Sequence, residues 1–451
     1  MPLFNLDLHA HSKSAMSTKA GTSLSLEAVV AVCSEYKGIN VVGTGDCHFK
    51  PWFTELRKRL VENESTPGIY VLPLNAETGF ILQTEIIFTA DCGGKRKQVH
   101  VIFLFPNFTA VTAFKKLLDD WRVKTEAIPR PFIKCETKNE VSSRIARILE
   151  IDGMIEIIPA HIMTPTGVFG SNIRINWLDE FFGDMASEIH AVETGLSADP
   201  EILSMIPELD KKALISNSDA HCADFHRLGR EFFSIDIHKL SYEAIIEAIR
   251  RNKIVRTAEF PPEEGKYFLT GHRAGKWKPR RKSPEIEQKK WHDITEFCLF
   301  SPLKVPNEDL CPICNRILTV GVLQRAYEIS EAQGGSERIL GTKDLIQQSF
   351  RTIIPLTEVI AVSLGIKNPM AKRVISEYKK LIEAFGSEVD FWFHPEPNWK
   401  LANFPPALSQ NLQHVHSGEF HFWLPGFDGT YGSLKIGKRR DYQSISIIVK
   451  G

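Results

Sequence analysis

The chain has 451 residues, 43% hydrophobic and 24% charged, with 55 basic side chains balanced by 55 acidic ones. That length supplies two or three domains with a sizeable core, and the composition is that of a soluble globular protein. A formal net charge of +0 excludes a polycation, so nucleic acid, if bound, has to meet a local basic face. No apolar run is long enough to cross a bilayer and the N-terminus leads straight into a strand. No membrane contact and no secretion signal are therefore expected, and the cytoplasm is the expected compartment. The eight cysteines are dispersed, which fits reduced thiols and a metal site better than a disulfide framework.

From Leu3 to about Thr257 short apolar runs alternate with amphipathic segments. Strands are expected at Leu3–Leu8, Asn40–Gly43, Ile69–Leu74, Phe80–Phe88, Val99–Phe105, Met154–Pro159, Glu188–Val192 and Ala213–Ser216. Helices are expected at Leu24–Tyr36, Trp52–Asn63, Ala110–Trp121, Val141–Glu150 and Tyr242–Arg250. Such alternation argues for a parallel α/β sheet or barrel, with chemistry at the C-terminal strand ends. The character changes at Pro261-Pro262. Residues 266–292 are rich in Lys and Arg, with Lys-Pro-Arg-Arg-Lys at 278–282, and Cys298 and Cys311-Pro-Ile-Cys314 follow. Further helices are expected at 320–333, 342–349, 356–364 and 369–385. The tail from Val389 is aromatic and His-rich and reads as short strands, His414, His416 and His421 included.

The polar residues at the expected strand ends form one set. His9 and His11 are two apart on an extended segment and so share a face. Asp46 and His48 follow the next strand; then come Glu77, His100, His161, and Asp219 with His221. Any one of them has an ordinary structural explanation. Together, imidazoles and carboxylates gathered at one end need cations between them, because clustered carboxylates otherwise repel. Two or three divalent metals meet that need. Closely spaced cations clamp a phosphodiester and acidify water for in-line attack.

The order His-x-His, Gly-Asp-x-His, Glu, His, Ala-His and Ser-Asp-x-His resembles the polymerase-and-histidinol-phosphatase (PHP) superfamily over about residues 1–257. The resemblance implies a distorted seven-stranded β/α barrel with a multinuclear site holding two or three Zn, Mn or Mg ions. By the same resemblance His9, His11, Glu77 and Asp219 hold one metal, Glu77 bridges to a second held by His100 and His161, and His48 and His221 face a third. Asp219, His221 and Glu77 are then the catalytic groups. The chain departs from the pattern at Ser17, where many members carry a further His, and Asp46 is the residue placed to compensate. Lys19 and Arg230 are candidate phosphate-binding cations.

Cys311-x-x-Cys314 reads as one knuckle of a zinc ribbon, with Cys298 as third ligand and His272 or His292 as fourth; His272 is the first choice. Residues 1–260 are read as the catalytic barrel, 261–325 as a basic zinc-binding module with one structural zinc, and 326–451 as a helical C-terminal domain with short terminal strands. Gly-Thr-Gly-Asp (43–46), Val-Glu-Thr-Gly-Leu-Ser (192–197), Ser-Asn-Ser-Asp-Ala-His (216–221), Leu-Gly-Arg-Glu (228–231), Gly-Lys-Tyr (265–267), Cys-Pro-Ile-Cys (311–314) and Gly-Phe-Asp-Gly-x-Tyr-Gly (426–432) resemble the endonuclease Q family. That resemblance implies nicking of DNA on the 5′ side of deaminated bases (uracil, hypoxanthine, xanthine) and at abasic sites. Arg273 and Trp277 in the basic run suit a phosphate backbone and an unstacked base, and Phe49 and Trp52 lie near enough to His48 to line a base pocket. The rival readings are a phosphoesterase for a small phosphorylated metabolite and a non-enzymatic nucleic-acid-binding protein.

Overall fold

The computed structural model describes residues 2–13, 23–125, 130–273, 295–395, 397, 404–438 and 440–449. Among the expected site residues Lys19 and Trp277 lie outside these, as do Ser17, Trp291, His292 and the basic run at 278–282.

Twelve of the strands precede the change of character. They are β1 (Leu3–Asp7), β2 (Val41–Gly43), β3 (Val61–Glu62), β4 (Tyr70–Leu72), β5 (Asn75–Cys92), β6 (Lys95–Phe105), β7 (Phe132–Lys134), β8 (Glu156–Pro159), β9 (Ala191–Glu193), β10 (Ala213–Ile215), β11 (Phe232–Asp236) and β12 (Ile254–Glu259). With β15 (Phe350–Thr352) all but β9 and β10 form an eleven-stranded mixed sheet, and β9 and β10 pair parallel beside it. The pairing β1–β2–β5 is parallel, whereas β11 runs antiparallel to β1 and to β12, and β5–β6 is a long antiparallel hairpin. The sheet is therefore more mixed than the wholly parallel alternation of the sequence suggests. Strands read as near-continuous apolar runs (Val101 to Phe105, Ile155 to Ile158) because both of their faces are covered.

The helices behave as their patterns require. α1 (Leu26–Val32), α2 (Lys50–Arg59), α3 (Phe108–Asp120), α4 (Lys138–Leu149), α5 (Asp179–Phe182), α6 (Pro200–Leu203) and α7 (Tyr242–Arg250) pack on the sheet region. Ser25, Asn107, Thr137 and Ser241 accept a backbone N–H in the first turn of α1, α3, α4 and α7, which fixes where those helices start.

The C-terminal part is mainly helical: α8 (Val322–Ala332), α9 (Leu356–Ser363), α10 (Lys372–Phe385), α11 (Glu388–Phe393) and α12 (Pro406–His416). Two expectations are corrected here. The stretch 342–349 holds a three-residue 3-10 turn, Lys343–Leu345, rather than a helix. His414 and His416 lie on α12, not on a strand; only His421 is on one, β16 (Phe420–Phe422), which pairs with β17 (Leu434–Ile436). A third sheet joins β13 (Thr270–Arg273), β14 (Phe297–Phe300) and β18 (Ser446–Val449) in that order.

Candidate metal centre

β1 delivers Asp7, then His9 and His11, to one end of the sheet. The His11 backbone N–H donates to the carbonyl of Ala220 at 2.9 Å, so the first loop and the loop after β10 lie side by side. Asp7 holds the second loop in place: its carboxylate accepts from the N–H and hydroxyl of Ser218 at 2.9 and 2.6 Å and from Gly229 N–H at 3.1 Å. Asn217 accepts from Leu8 N–H at 2.6 Å and donates to Glu193 at 2.9 Å. Asp219 then faces the two histidines, with Oδ1 3.1 Å from His11 Nε2 and 3.6 Å from His9 Nε2. From the opposite side Glu85 of β5 meets His100 Nδ1 at 2.6 Å and His161 Nε2 at 3.3 Å; its oxygens also lie 3.8 Å from His9 Nε2 and 3.6 Å from His11 Nε2. Asp46, His161 and Asp219 hold positive φ values of 41°, 30° and 47°. Such backbone is strained for these residue types and persists only where surrounding contacts enforce it.

The hydrogen bonds fix the tautomers. Thr164 donates its hydroxyl to the His161 carbonyl at 2.9 Å, so it can only accept from His161 Nδ1 at 2.7 Å. The proton is therefore on Nδ1, and the bare Nε2 of His161 points at Glu85. His9 is oriented in the same way by Glu193, 3.0 and 3.1 Å from its Nδ1. His9 Nε2 and Glu85 Oε2 are buried without a hydrogen-bond partner. Lone pairs of nitrogen and oxygen aimed at each other over these distances repel unless a proton or a cation lies between them. Burial works against protonation of His9, yet Glu193, Asp219 and Glu85 together raise its pKa to about 9. His11 is raised in the same field by Asp46 and Asp219. Glu85, despite its burial, is held well below the usual carboxylate range by His100, His161 and His9. The two donor sets His9–His11–Asp219 and Glu85–His100–His161, with Glu85 between them, thus fit divalent cations, and outer carboxylates orient the imidazoles as metal sites require.

Four expected ligands are not in this cluster. Glu77 is exposed near the start of β5. The parallel register Val41↔Gly79 and Gly43↔Ile81 carries the end of β2 past Glu77, so the residue that reaches the centre is eight positions later, Glu85. Asp46 stands behind His11, accepting from Ser12 N–H at 2.8 Å and meeting His11 Nδ1 at 3.4 Å. His48 turns into the core, with Nδ1 2.6 Å from the Thr84 hydroxyl and its ring edge-on to Phe114. His221 remains at the rim: its Nδ1 donates to the Asp219 carbonyl at 2.7 Å, leaving Nε2 bare, and burial lowers its pKa.

A second cluster forms where β13 and β14 pair. Their antiparallel register sets His272 opposite Cys298, and the Cys311–Cys314 turn folds onto them. Cys298 Sγ lies 3.6 Å from Cys311 Sγ, and Cys314 Sγ lies 3.3 Å from His272 Nδ1. Ligands bound tetrahedrally to one zinc at about 2.0–2.3 Å would stand roughly 3.3–3.8 Å apart; both of these pairs fall in that range, and His272, Cys311 and Cys314 form a mutually close set to which Cys298 adjoins through Cys311. Ile313 N–H donates to Cys311 Sγ at 3.4 Å, as expected for a charged sulfur. His272, the first choice for fourth ligand, lies beside the thiols; His292, the alternative, is outside the described residues.

Comparison with known proteins finds similarity along most of the chain. The profile of the MJ0043 C-terminal domain fits residues 355–405. The uncharacterized protein MJ0043 of Methanocaldococcus jannaschii is 29% identical over 250 residues, 54% of this chain but only 28% of that protein. The uncharacterized protein YqxK of Bacillus subtilis is 26% identical over 445 residues, 95% of this chain and 98% of its own. Among solved structures, the lesion-specific endonuclease PfuEndoQ of Pyrococcus furiosus superposes with a TM-score of 0.72 at 25% identity, covering 96% of both chains. Endonuclease Q in complex with a 27-mer duplex carrying an abasic lesion superposes with a TM-score of 0.74 at 25% identity, covering 96% of this chain and 97% of that one. This chain has the endonuclease Q architecture.

The endonuclease Q relatives draw attention to what surrounds the centre. A cavity of about 360 Å³ opens beside it, lined by Phe260, Tyr267, Phe268 and Tyr431 among others. Thr164 and Arg230 reach both: Thr164 bonds His161, and the Arg230 guanidinium donates to the Ser218 carbonyl at 3.2 and 3.3 Å while lying over the Phe260 ring. Arg230 is buried here. Phe49 and Trp52 are not part of this cavity. Both are buried in the core, and Trp52 donates its indole N–H to the Thr44 carbonyl at 2.9 Å. Arg273 is tied to the 426–429 turn through Asp428, by its N–H and Nε at 2.9 Å each. Sequence reading did not single out Glu85 or Glu193. The available signal for Glu85 was a lone carboxylate inside an otherwise apolar strand, where only a cation makes burial tolerable.

Proposed function

We propose that this protein is a metal-dependent endonuclease that nicks damaged DNA, hydrolysing the phosphodiester on the 5′ side of deaminated bases (uracil, hypoxanthine, xanthine) or of abasic sites. The observation that carries the reading is the buried His9–His11–Glu85–His100–His161–Asp219 centre with an aromatic-lined cavity beside it, the two joined through Thr164 and Arg230, in a chain that aligns along 96% of its length with an endonuclease held on an abasic duplex. Divalent ions bound by those six residues would supply Lewis-acid charge to the scissile phosphate and lower the pKa of the attacking water. The chain's own groups do the rest. Glu193 and Asp46 hold the imidazoles of His9 and His11 in orientation, and the bare Nε2 of His221 takes up or returns a proton at the rim. A damaged base leaves the helix to be read. Phe260, Tyr267 and Tyr431 give it apolar walls, and Glu264 with Glu358 gives it a polar edge. Burial pushes both carboxyls up, and Glu358 adds to the shift at Glu264. A carboxyl kept protonated there both donates and accepts, which suits an imide edge. The His272–Cys298–Cys311–Cys314 cluster would hold a structural zinc that fixes the strands flanking the basic run.

The test is a labelled duplex with one uracil, hypoxanthine or abasic site beside an undamaged duplex, in Mg²⁺, Mn²⁺ or Zn²⁺, with Asp219→Ala as control. A nick 5′ of the lesion, lost in the variant, is expected. Turnover of a small phosphate monoester with no cut in any DNA would overturn the reading in favour of a metabolite phosphatase.

A further inference from the structure

Arg130 lies between two prolines in sequence, outside every motif discussed above. β7 pairs parallel with β5, Phe132 opposite Ile87, and Ile87 N–H donates to the Pro131 carbonyl at 3.1 Å. Glu85 and Ile87 project from the same face of β5. The register therefore sets residue 130 beside residue 85. Arg130 Nη1 comes within 3.7 Å of Glu85 Oε2. That is ion-pair range but too long for a hydrogen bond. Glu85 does not depend on it, because His100 and His161 already meet its other oxygen at 2.6 and 3.3 Å. Among the described residues Arg130 has no hydrogen bond, and 35% of its side chain is exposed. The guanidinium thus stands beside Glu85, partly exposed, with its donors unmatched by hydrogen bonds among the described residues. With His48 turned into the core, a protein cation here is the more telling. Glu85 already offsets part of the guanidinium's charge; beside bound divalent ions the remaining guanidinium donors suit a second anion shared with those ions, and a phosphodiester is such an anion with the acceptor geometry Arg matches.

We propose that Arg130 is a catalytic residue that grips a non-bridging oxygen of the scissile phosphate across from the Glu85-bridged centre. The inference rests on the phosphodiester reading given above. Its test reads binding as well as cutting. Wild type, Arg130→Gln and Arg130→Lys, loaded with Ca²⁺ under conditions where no nick forms during the measurement, are titrated with two lesion duplexes. One is natural and the other carries an uncharged methylphosphonate at the cut position. Wild type should prefer the charged duplex by about tenfold or more, the worth of one charge-assisted hydrogen bond. Arg130→Gln should weaken that preference about tenfold, leaving the part owed to the bound ions, while metal content and Tm stay unchanged. In the activating ion, its nicking should fall about 100- to 1,000-fold, as for loss of one transition-state donor. Added guanidinium should partly restore Arg130→Ala. A charge preference undiminished in Arg130→Gln, or wild-type nicking rates in that variant, overturns the inference and leaves the nuclease reading standing. No nicking by wild type on any lesion duplex overturns both.

Discussion

Burying a carboxylate in an apolar strand costs several kcal/mol unless cations meet it, and Glu85, fully enclosed on β5, has histidines on every side. Glu85→Gln should lower nicking by more than about 100-fold and reduce bound metal in elemental analysis. Glu77→Gln should change neither by more than about twofold, as expected for an exposed side chain remote from the centre. The pair decides between the carboxylate named by resemblance and the one placed by geometry. The contrast shows how far residues can be read from sequence. His9, His11, Asp219 and His221 were legible because they directly follow short strands and share a face through i, i+2 spacing. His100 and His161 were legible because an imidazole in an apolar setting stands out. Glu85 was not, since β5 runs for 18 residues and nothing in the sequence says which part of so long a strand reaches the centre. Glu193 was quoted within a motif, but its role behind His9 depends on β9 pairing with β10, a contact no local pattern announces. His48 was misplaced because its loop turns it toward Phe114, and only packing reveals that.

At the scale of elements, the pairing of β13 with β14 matters most. Two residues 26 positions apart, His272 and Cys298, become cross-strand neighbours only through that register. Cys298→Ala should therefore remove one zinc per chain in elemental analysis and lower unfolding stability by more than about 4 kcal/mol, the range in which loss of a metal site falls. It should leave the ions at the histidine–carboxylate centre in place. The helices were legible from their apolar spacing, but their starts were not: Ser25, Asn107, Thr137 and Ser241 cap them one to four residues from where the spacing alone begins, except at Tyr242, where the two agree. The segment 342–349 and the tail histidines were misread because short helices and strands share the same apolar spacing, and length alone separates them.

Across the whole molecule the C-terminal segment is woven through the rest. β15 adds to the main sheet beside β12, and β18 adds to the thiolate sheet beside β14. The helical part also docks through a buried ion pair. Lys37, with no exposed side chain, lies 2.8 Å from Glu388 of α11 and also donates to the Phe225 carbonyl. Glu388→Gln strands the ammonium in the interior and should cost about 3–5 kcal/mol in urea unfolding, whereas Lys37→Met with Glu388→Leu should recover most of it. This long-range weave is what the sequence conceals most fully, since each strand involved is only three or four residues long.

The place of β18 has a bearing on how the protein comes into being. β14 finds its second neighbour in residues 446–449, almost 150 positions downstream. While the ribosome is still translating, the thiolate sheet has one edge bare, and the strands that frame the basic run lack their final brace. The sheet that carries the thiolate cluster is therefore completed late in synthesis, once residues 446–449 have emerged to pair with β14.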